Sequence, residues 1–374
     1  MVPSNYKLKS ITIKGFKSIA YNRPITLHFD DTTILIGANG SGKSNIISFF
    51  KMISYMMNGT LRQYIAQYGT NQLFLHYGPK ITPAIDAEIR FEGHNAYDTY
   101  RFTLGRAVDQ GLVISREEIE WKSDGMEKPS VFQLIPKSLF ETTISQAHSK
   151  EPTKTVWNLL SGCKPYQFCD STEDSALRQA STVDSALYLQ SRGNNLAAFL
   201  LYLRDYHPDS YERIVRYVNV VLPQFRDFYL EPIGNHVSLK WVDRSGNDYV
   251  FIPHQFSDGT IRFVALATLL LQPAKTMPRI IVLDEPELGL HPYAIDQLKF
   301  MIKDASKHAQ VIIATQSPSL LDGFSANDVT VVEYDEEENC TIARQLNSDD
   351  YTEWIARYSM SELWNKNVFG GRPV

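Results

Sequence analysis

Gly37-Ala38-Asn39-Gly40-Ser41-Gly42-Lys43-Ser44 has the spacing G-x-x-x-x-G-K-S of a loop built to hold phosphate. Its glycines let backbone N–H groups curl around phosphate oxygens. A helix starting at Lys43 adds the partial positive charge of its N-terminus. Lys43 can reach the β- and γ-phosphates of a nucleoside triphosphate, and the Ser44 hydroxyl is a magnesium ligand. Farther along, Ile280-Ile-Val-Leu-Asp284-Glu285 has the Walker B form: a buried apolar run delivers two carboxylates at its C-terminal end, where ligands bind in open α/β sheets. In such a pair Asp284 holds Mg²⁺ through water and Glu285 polarises the attacking water as general base. Between these motifs lies Phe256-Ser257-Asp258-Gly259-Thr260. Taken alone it is a helix N-cap, and a helix start is also an anion site.

The flanking sequence supplies the elements these residues need. Alternating apolar positions predict strands over Leu8–Ile13 and Ile25–Phe29, and the continuous apolar run Thr33–Ile36 predicts a buried strand leading into the loop. A helix is expected over Lys43–Met57. Alternating segments at Ile85–Phe91, Tyr100–Leu104 and Val113–Trp121, separated by Gly and Asn turns, predict an antiparallel lobe. Residues 141–181 are rich in Ser, Thr, Gln and Lys with little periodicity, as in a mobile or loosely packed insertion. Helices follow at Asn195–Arg204 and Pro208–Val221, and short strands at Phe225–Leu230, Val237–Trp241 and Tyr249–Ile252. A helix from Asp258 to Leu271, a strand Arg279–Leu283, a helix Pro292–Ser306 and a strand Val311–Ala314 alternate as in a parallel α/β sheet. Strands at Val329–Glu333 and Thr341–Arg344 flank an acidic turn, Asp335–Glu338, and an aromatic-rich tail runs from Tyr351.

The phosphate loop, the Ser-Asp-Gly helix start, the Leu-Asp-Glu strand end and Leu288-Gly-Leu-His-Pro292 together resemble the RecF/SMC/OLD branch of ABC-type ATPases. The likeness is to its compact prokaryotic predicted ATPases, which have no fused nuclease. The opening Leu8-Lys-Ser-Ile-Thr-Ile-Lys-Gly-Phe-Lys-Ser-Ile19 is similar to that branch's first strand and turn. The ending Tyr358-Ser-Met-Ser-Glu-Leu-Trp-Asn-Lys-Asn-Val-Phe-Gly-Gly-Arg-Pro373 is similar to the compact family's tail. The resemblance covers nearly the whole chain and is weakest over 141–181.

The resemblance implies an α/β fold, an ABC-type P-loop ATPase head with a mixed or parallel sheet core, an antiparallel β lobe and a helical insertion. One discontinuous head would comprise residues 1–135 and 223–374, flanking an insertion at 136–222. It implies ATP and Mg²⁺, and a head-to-head homodimer closing over two nucleotides. Gly37, Asn39, Gly40, Ser41, Gly42, Lys43, Ser44 and Asn45 would bind ATP, with Ser44 and Asp284 on the metal and Glu285 as catalytic base. Phe256–Thr260 becomes the signature motif, its Ser257, Asp258 and Gly259 at the γ-phosphate held by the other subunit. Leu288–His291 becomes the D-loop. The branch's switch histidine is replaced by Gln316, which can orient water or a phosphate oxygen but carries no imidazolium charge. Gln133 and Gln190 are candidates for the Q-loop glutamine.

Composition narrows the setting. A net charge of −5 gives no global basic field for nucleic acid or anionic membrane, though a local patch would suffice for DNA. Lys7, Lys9, Lys14 and Lys17 read either as such a DNA-facing strip or as solvated edge-strand lysines. Cys163, Cys169 and Cys340 are too few and scattered for a disulfide framework or a zinc site, as expected of free thiols in a reducing cytoplasm. The opening Met1–Lys7 shows no apolar region of a signal peptide, and the longest apolar stretch, Phe263–Leu271, is far short of a membrane span. His28, His76, His254, His291 and His308 show no metal-ligand spacing. Two cellular roles stay open: an ATPase coupled to DNA sensing or processing in genome maintenance or anti-phage defence, or an ATP-switched scaffold that holds a separate effector such as a nuclease or toxin. Higher assembly is open in either.

Overall fold

The computed structural model describes residues 6–371 apart from 69, 108–110, 136–137, 147–148, 150, 169–173 and 248. Cys169 and the last residues of the tail therefore lie outside the described residues. The chain forms two compact units, residues 1–164 with 324–374 and residues 165–323. This division by packing falls elsewhere than the boundaries expected at 135 and 222.

The first unit contains a six-stranded antiparallel sheet, in spatial order Ile25–His28, Lys7–Lys14, Ala84–Gly93, Ala96–Arg106, Leu112–Lys122 and Ser130–Gln133. The period-two pattern sorts its faces: Ile85, Ala87, Ile89 and Phe91 are buried, and the residues between them carry charge. On the charged face, Arg101 bonds Glu88 on one neighbouring strand (2.5 Å) and Glu120 on the other (2.8 Å), so opposite charges are cross-strand neighbours. Lys7–Lys14 lies inside this sheet, not at its edge. Lys7 pairs with Asp31 and Lys9 with Asp30. Lys17 sits beyond the strand and donates to Ser48 Oγ at 2.6 Å, its ammonium 5.6 Å from the centroid of the Phe16 ring. The four lysines form neither a row on an edge strand nor one free basic strip.

The same unit holds the strand Thr32–Ile36, buried at every position. It pairs in parallel with Val329–Asp335, which turns through the acidic residues into antiparallel Cys340–Gln345. The helix Lys43–Met57 follows the expected bounds. It is apolar on most of its circumference because both sides are covered. Phe49 meets Phe16 and Phe102 (5.5 and 6.4 Å between ring centroids), and Phe50 meets Phe29 at 5.9 Å. Each such buried ring stabilises the fold by about 2–3 kcal/mol. The segment expected to pack loosely is ordered where it is described. Its helix Thr153–Leu160 buries Val156, Leu159 and Leu160, and Trp157 Nε1 donates to the Met57 carbonyl at the end of the helix that begins at Lys43. Elements of three to eight residues are too short to leave a periodic signature, which is why composition suggested otherwise. The tail closes with a capping box at Ser359 and Glu362 and buries Leu363, Trp364 and Phe369.

The second unit has helices Leu196–Tyr206, Pro208–Val221, Asp258–Leu271 and Pro292–Ala305 and a parallel pair of strands, Ile280–Asp284 and Gln310–Thr315. A small antiparallel sheet, Phe225–Tyr229, Lys240–Asp243 and Val250–Phe251, carries an aromatic cluster. Trp241 stacks on Phe251 at 4.0 Å and meets Phe256 at 5.6 Å. The single strand expected over Val237–Trp241 is two: His236–Val237 pairs with Ser181–Thr182, and Lys240 begins the next. No helix among the described residues is long and apolar enough to cross a membrane.

Candidate nucleotide site

The residues singled out for chemistry divide between the two units. In the first, the strand Thr32–Ile36 ends on a loop whose backbone only glycine satisfies. A Cβ at Gly37 would overlap the Val332 carbonyl oxygen and Ser41, and one at Gly42 would overlap the Thr341 side chain. Gly40 and Gly42 have φ of +82° and +107°, in the region that L-residues avoid. Lys43 is 6 % exposed. Its ammonium is held inside the loop by the carbonyls of Gly37 (2.7 Å) and Ala38 (2.8 Å). Ser41 Oγ is buried with no hydrogen-bond partner, while Asn39, Gly40 and Ser44 are exposed. The loop is braced from behind. Thr341 Oγ1 bonds the Ser41 carbonyl (3.0 Å) and Ser18 Oγ (2.7 Å), and the Asn45 amide donates to the same Ser18 oxygen at 2.7 Å. Asn45 thus supports the loop through its side chain.

In the second unit, strands Ile280–Asp284 and Gln310–Thr315 bring Asp284, Glu285 and Gln316 to one end of a parallel pair, with Asp284 opposite Ala314. Glu285 continues the pairing, its N–H donating to the Ala314 carbonyl at 2.8 Å, but with φ of +46°. A bulky residue in that region costs about 1–3 kcal/mol and is found where the surroundings impose it, often at functional sites. Gln167 Nε2 donates to Asp284 Oδ2 at 2.9 Å. Glu287 is buried, and burial pushes its carboxyl up from the usual carboxylate range, with the Glu285 charge adding to the rise and a Thr315 hydrogen bond opposing it.

The helix Asp258–Leu271 starts on a true N-cap: Ser257 Oγ accepts from the Thr260 N–H at 3.2 Å. Phe256 anchors that start in the aromatic cluster. Arg178, 8 % exposed, donates to the carbonyls of Pro253 (2.6 Å) and Phe256 (3.1 Å) and to Asp258 Oδ1 (2.6 Å). The paired guanidinium offsets the carboxylate of Asp258, which would otherwise weaken an anion site. The helix start abuts the loop after the acidic pair. A Cβ at Gly259 would overlap the Gly289 carbonyl, and Arg262 Nη1 donates to the Leu288 carbonyl at 2.8 Å.

Known proteins match both halves of this arrangement. Residues 7–99 match the family described as "AAA ATPase domain", and residues 187–322 the one described as "AAA domain, putative AbiEii toxin, Type IV TA system". The chain is 24% identical over 382 aligned residues to the Old nuclease of Escherichia phage P2, covering 93% of this chain and 62% of that protein. It therefore spans less than two thirds of that relative's length. A stretch of 47 residues is 47% identical to the chromosome partition protein Smc of Halothermothrix orenii, 12% of this chain and 4% of that protein. A crystal structure of the SmcHead bound to the C-winged helix domain of ScpA superposes with a TM-score of 0.57 at 16% identity, covering 92% of this chain and 99% of that one. The Smc head domain with an extended coiled coil, bound to the C-terminal domain of ScpA derived from Pyrococcus furiosus, gives 0.54 at 15% identity, with 94% and 99% covered.

The chain resembles the RecF/SMC/OLD branch of ABC-type ATPases. Its fold is α/β and SMC-head-like, with a mixed sheet and an antiparallel β lobe. Against that branch's pattern, the glutamine that touches the acidic strand end is neither of the two expected from sequence. Gln133 lies in the exposed strand Ser130–Gln133 and donates to Glu118 at 2.6 Å. Gln190 is held through its backbone by Asn195. Gln167 has no motif around it, neither Arg178 nor Thr341 lies in a recognisable pattern, and the opening motif that contains Ser18 assigns it no role. They are found only by the bonds they make.

Proposed function

We propose that this chain binds ATP and hydrolyses it to ADP and phosphate, as a head-to-head dimer with two nucleotides at the interface. The observation that carries it is the buried Lys43 inside a loop that demands glycine at 37 and 42. That cradle fits a run of phosphate oxygens and little else. Ser44 and Asp284 offer the hard oxygen donors suited to Mg²⁺, which when bound neutralises charge on the phosphates. Glu285 takes a proton from the attacking water as its oxygen bonds the γ-phosphorus and the bond to the bridging oxygen breaks. Gln167, bonded to Asp284, takes the Q-loop role. Gln316 orients the water or a phosphate oxygen, and the absence of an imidazolium there favours slow turnover. The helix start Ser257–Gly259, exposed at Ser257 and Asp258, serves the γ-phosphate of the nucleotide on the partner chain.

We assign the coupled partner as DNA. The names of two relatives, a nuclease and a chromosome partition protein, support DNA as that partner. The competing role is an ATP-switched scaffold for a separate effector. Steady-state ATPase assays with duplex ends and plasmid test both. Lys43→Ala abolishes nucleotide binding, and Glu285→Gln keeps binding but lowers turnover on the order of 10²–10⁴-fold. An unchanged ATP affinity in Lys43→Ala contradicts the assignment. Turnover above the Glu285→Gln blank that ignores DNA favours the scaffold.

A further inference from the structure

Glu287 is 7 % exposed, two residues beyond Glu285, and one of its carboxylate oxygens is buried with no hydrogen-bond partner. An apolar side chain of similar size would occupy this position at lower cost. What the carboxylate adds is direction. Its other oxygen, Oε1, accepts from Thr315 Oγ1 at 2.5 Å, and Thr315 Oγ1 in turn accepts from the Ser317 N–H at 2.9 Å. The second bond closes a small side-chain-to-backbone ring across one residue, Gln316. The first fixes the hydroxyl that closes it. On its own side, Glu287 belongs to a tight turn: the Glu285 carbonyl accepts from Leu288 N–H at 3.1 Å and the Glu287 carbonyl from Leu290 N–H at 3.0 Å.

We propose that Glu287 is a positioning residue for the hydrolytic step: through Thr315 it fixes the turn that presents Gln316 and ties that turn to the segment carrying Glu285. Glu287 itself touches no reacting atom. Small displacements of a group that orients the attacking water are enough to cost one or two orders of magnitude in rate, while nucleotide binding at the phosphate loop does not depend on this bond. The inference rests on the proposed ATPase activity, and the two fail separately: the turnover of the unaltered chain over Lys43→Ala judges the activity, and the ratios among the variants below judge the clamp.

The test is the steady-state kcat and KM for ATP, with melting temperatures, of Thr315→Val, Thr315→Ser, Glu287→Met and the double variant Glu287→Met/Thr315→Val. Thr315→Val nearly conserves shape but leaves the buried Glu287 carboxylate and the Ser317 N–H without the hydroxyl they share, so it should lower the melting temperature while the chain stays folded. It should lower kcat about tenfold with KM unchanged. Thr315→Ser keeps the hydroxyl and should restore kcat to within about twofold of the unaltered chain. The double variant should be no slower than the slower single, because both singles already break the Glu287–Thr315 bond. A Thr315→Val chain with unaltered kcat, a Thr315→Ser chain as slow as the valine variant, or fully multiplicative losses in the double variant would each overturn the clamp.

Discussion

Gly40 and Gly42 share the left-handed region for different reasons, and substitution should separate them. A Cβ at Gly40 meets nothing within reach, so alanine there adds only backbone strain, about 1–2 kcal/mol. At Gly42 the same methyl also overlaps Thr341, whose hydroxyl bonds both Ser18 and the Ser41 carbonyl. Gly42→Ala should therefore lower the melting temperature clearly more than Gly40→Ala. Equal shifts in thermal unfolding would mean that the Thr341 contact does not hold the loop. At this scale the sequence declares chemistry well and conformation poorly. Lys43, Ser44, Asp284 and Glu285 are recognisable by type and spacing, but nothing in the letters says that Glu285 adopts a positive φ or that Asn45 turns its amide to Ser18. Those features depend on atoms far away along the chain.

The helix Asp258–Leu271 shows how an element inherits its position. Its N-cap is written locally in Ser257 and Thr260, and its bounds were legible from the apolar run. Its orientation is imposed by Phe256 in the aromatic cluster and by buried Arg178. Arg178 falls in a Ser- and Thr-rich stretch without periodicity, and Gln167 lies beside a three-residue strand. Neither could be found from pattern, since short elements carry no repeat to read. Removing Arg178 deletes three hydrogen bonds and leaves the Asp258 carboxylate unpaired at the helix start. Arg178→Ala should keep ATP affinity within about threefold and lose at least about tenfold in turnover, because the site it supports acts on the γ-phosphate. Arg178→Lys, which retains charge but not the fork of donors, should fall between. Turnover unaffected in Arg178→Ala would show that the helix start is fixed without it.

At the scale of the molecule, each compact unit carries part of the proposed chemistry: Lys43 and Ser44 in one, Asp284, Glu285, Ser257 and Gln316 in the other. In the proposed dimer, Ser257 serves a nucleotide bound by another copy of the chain. Mixing two inactive variants tests it most directly. Lys43→Ala disables both phosphate loops of a homodimer, and Ser257→Arg blocks both signature motifs. In an equal mixture half the dimers are mixed, and each mixed dimer has one site with an intact loop and an intact signature. Combining the two inactive proteins should restore about one quarter of the unaltered turnover, as a two-fold symmetric interface requires. A mixture no more active than its separate components, with mixed dimers present, would contradict it and assign the signature motif to the nucleotide of its own chain.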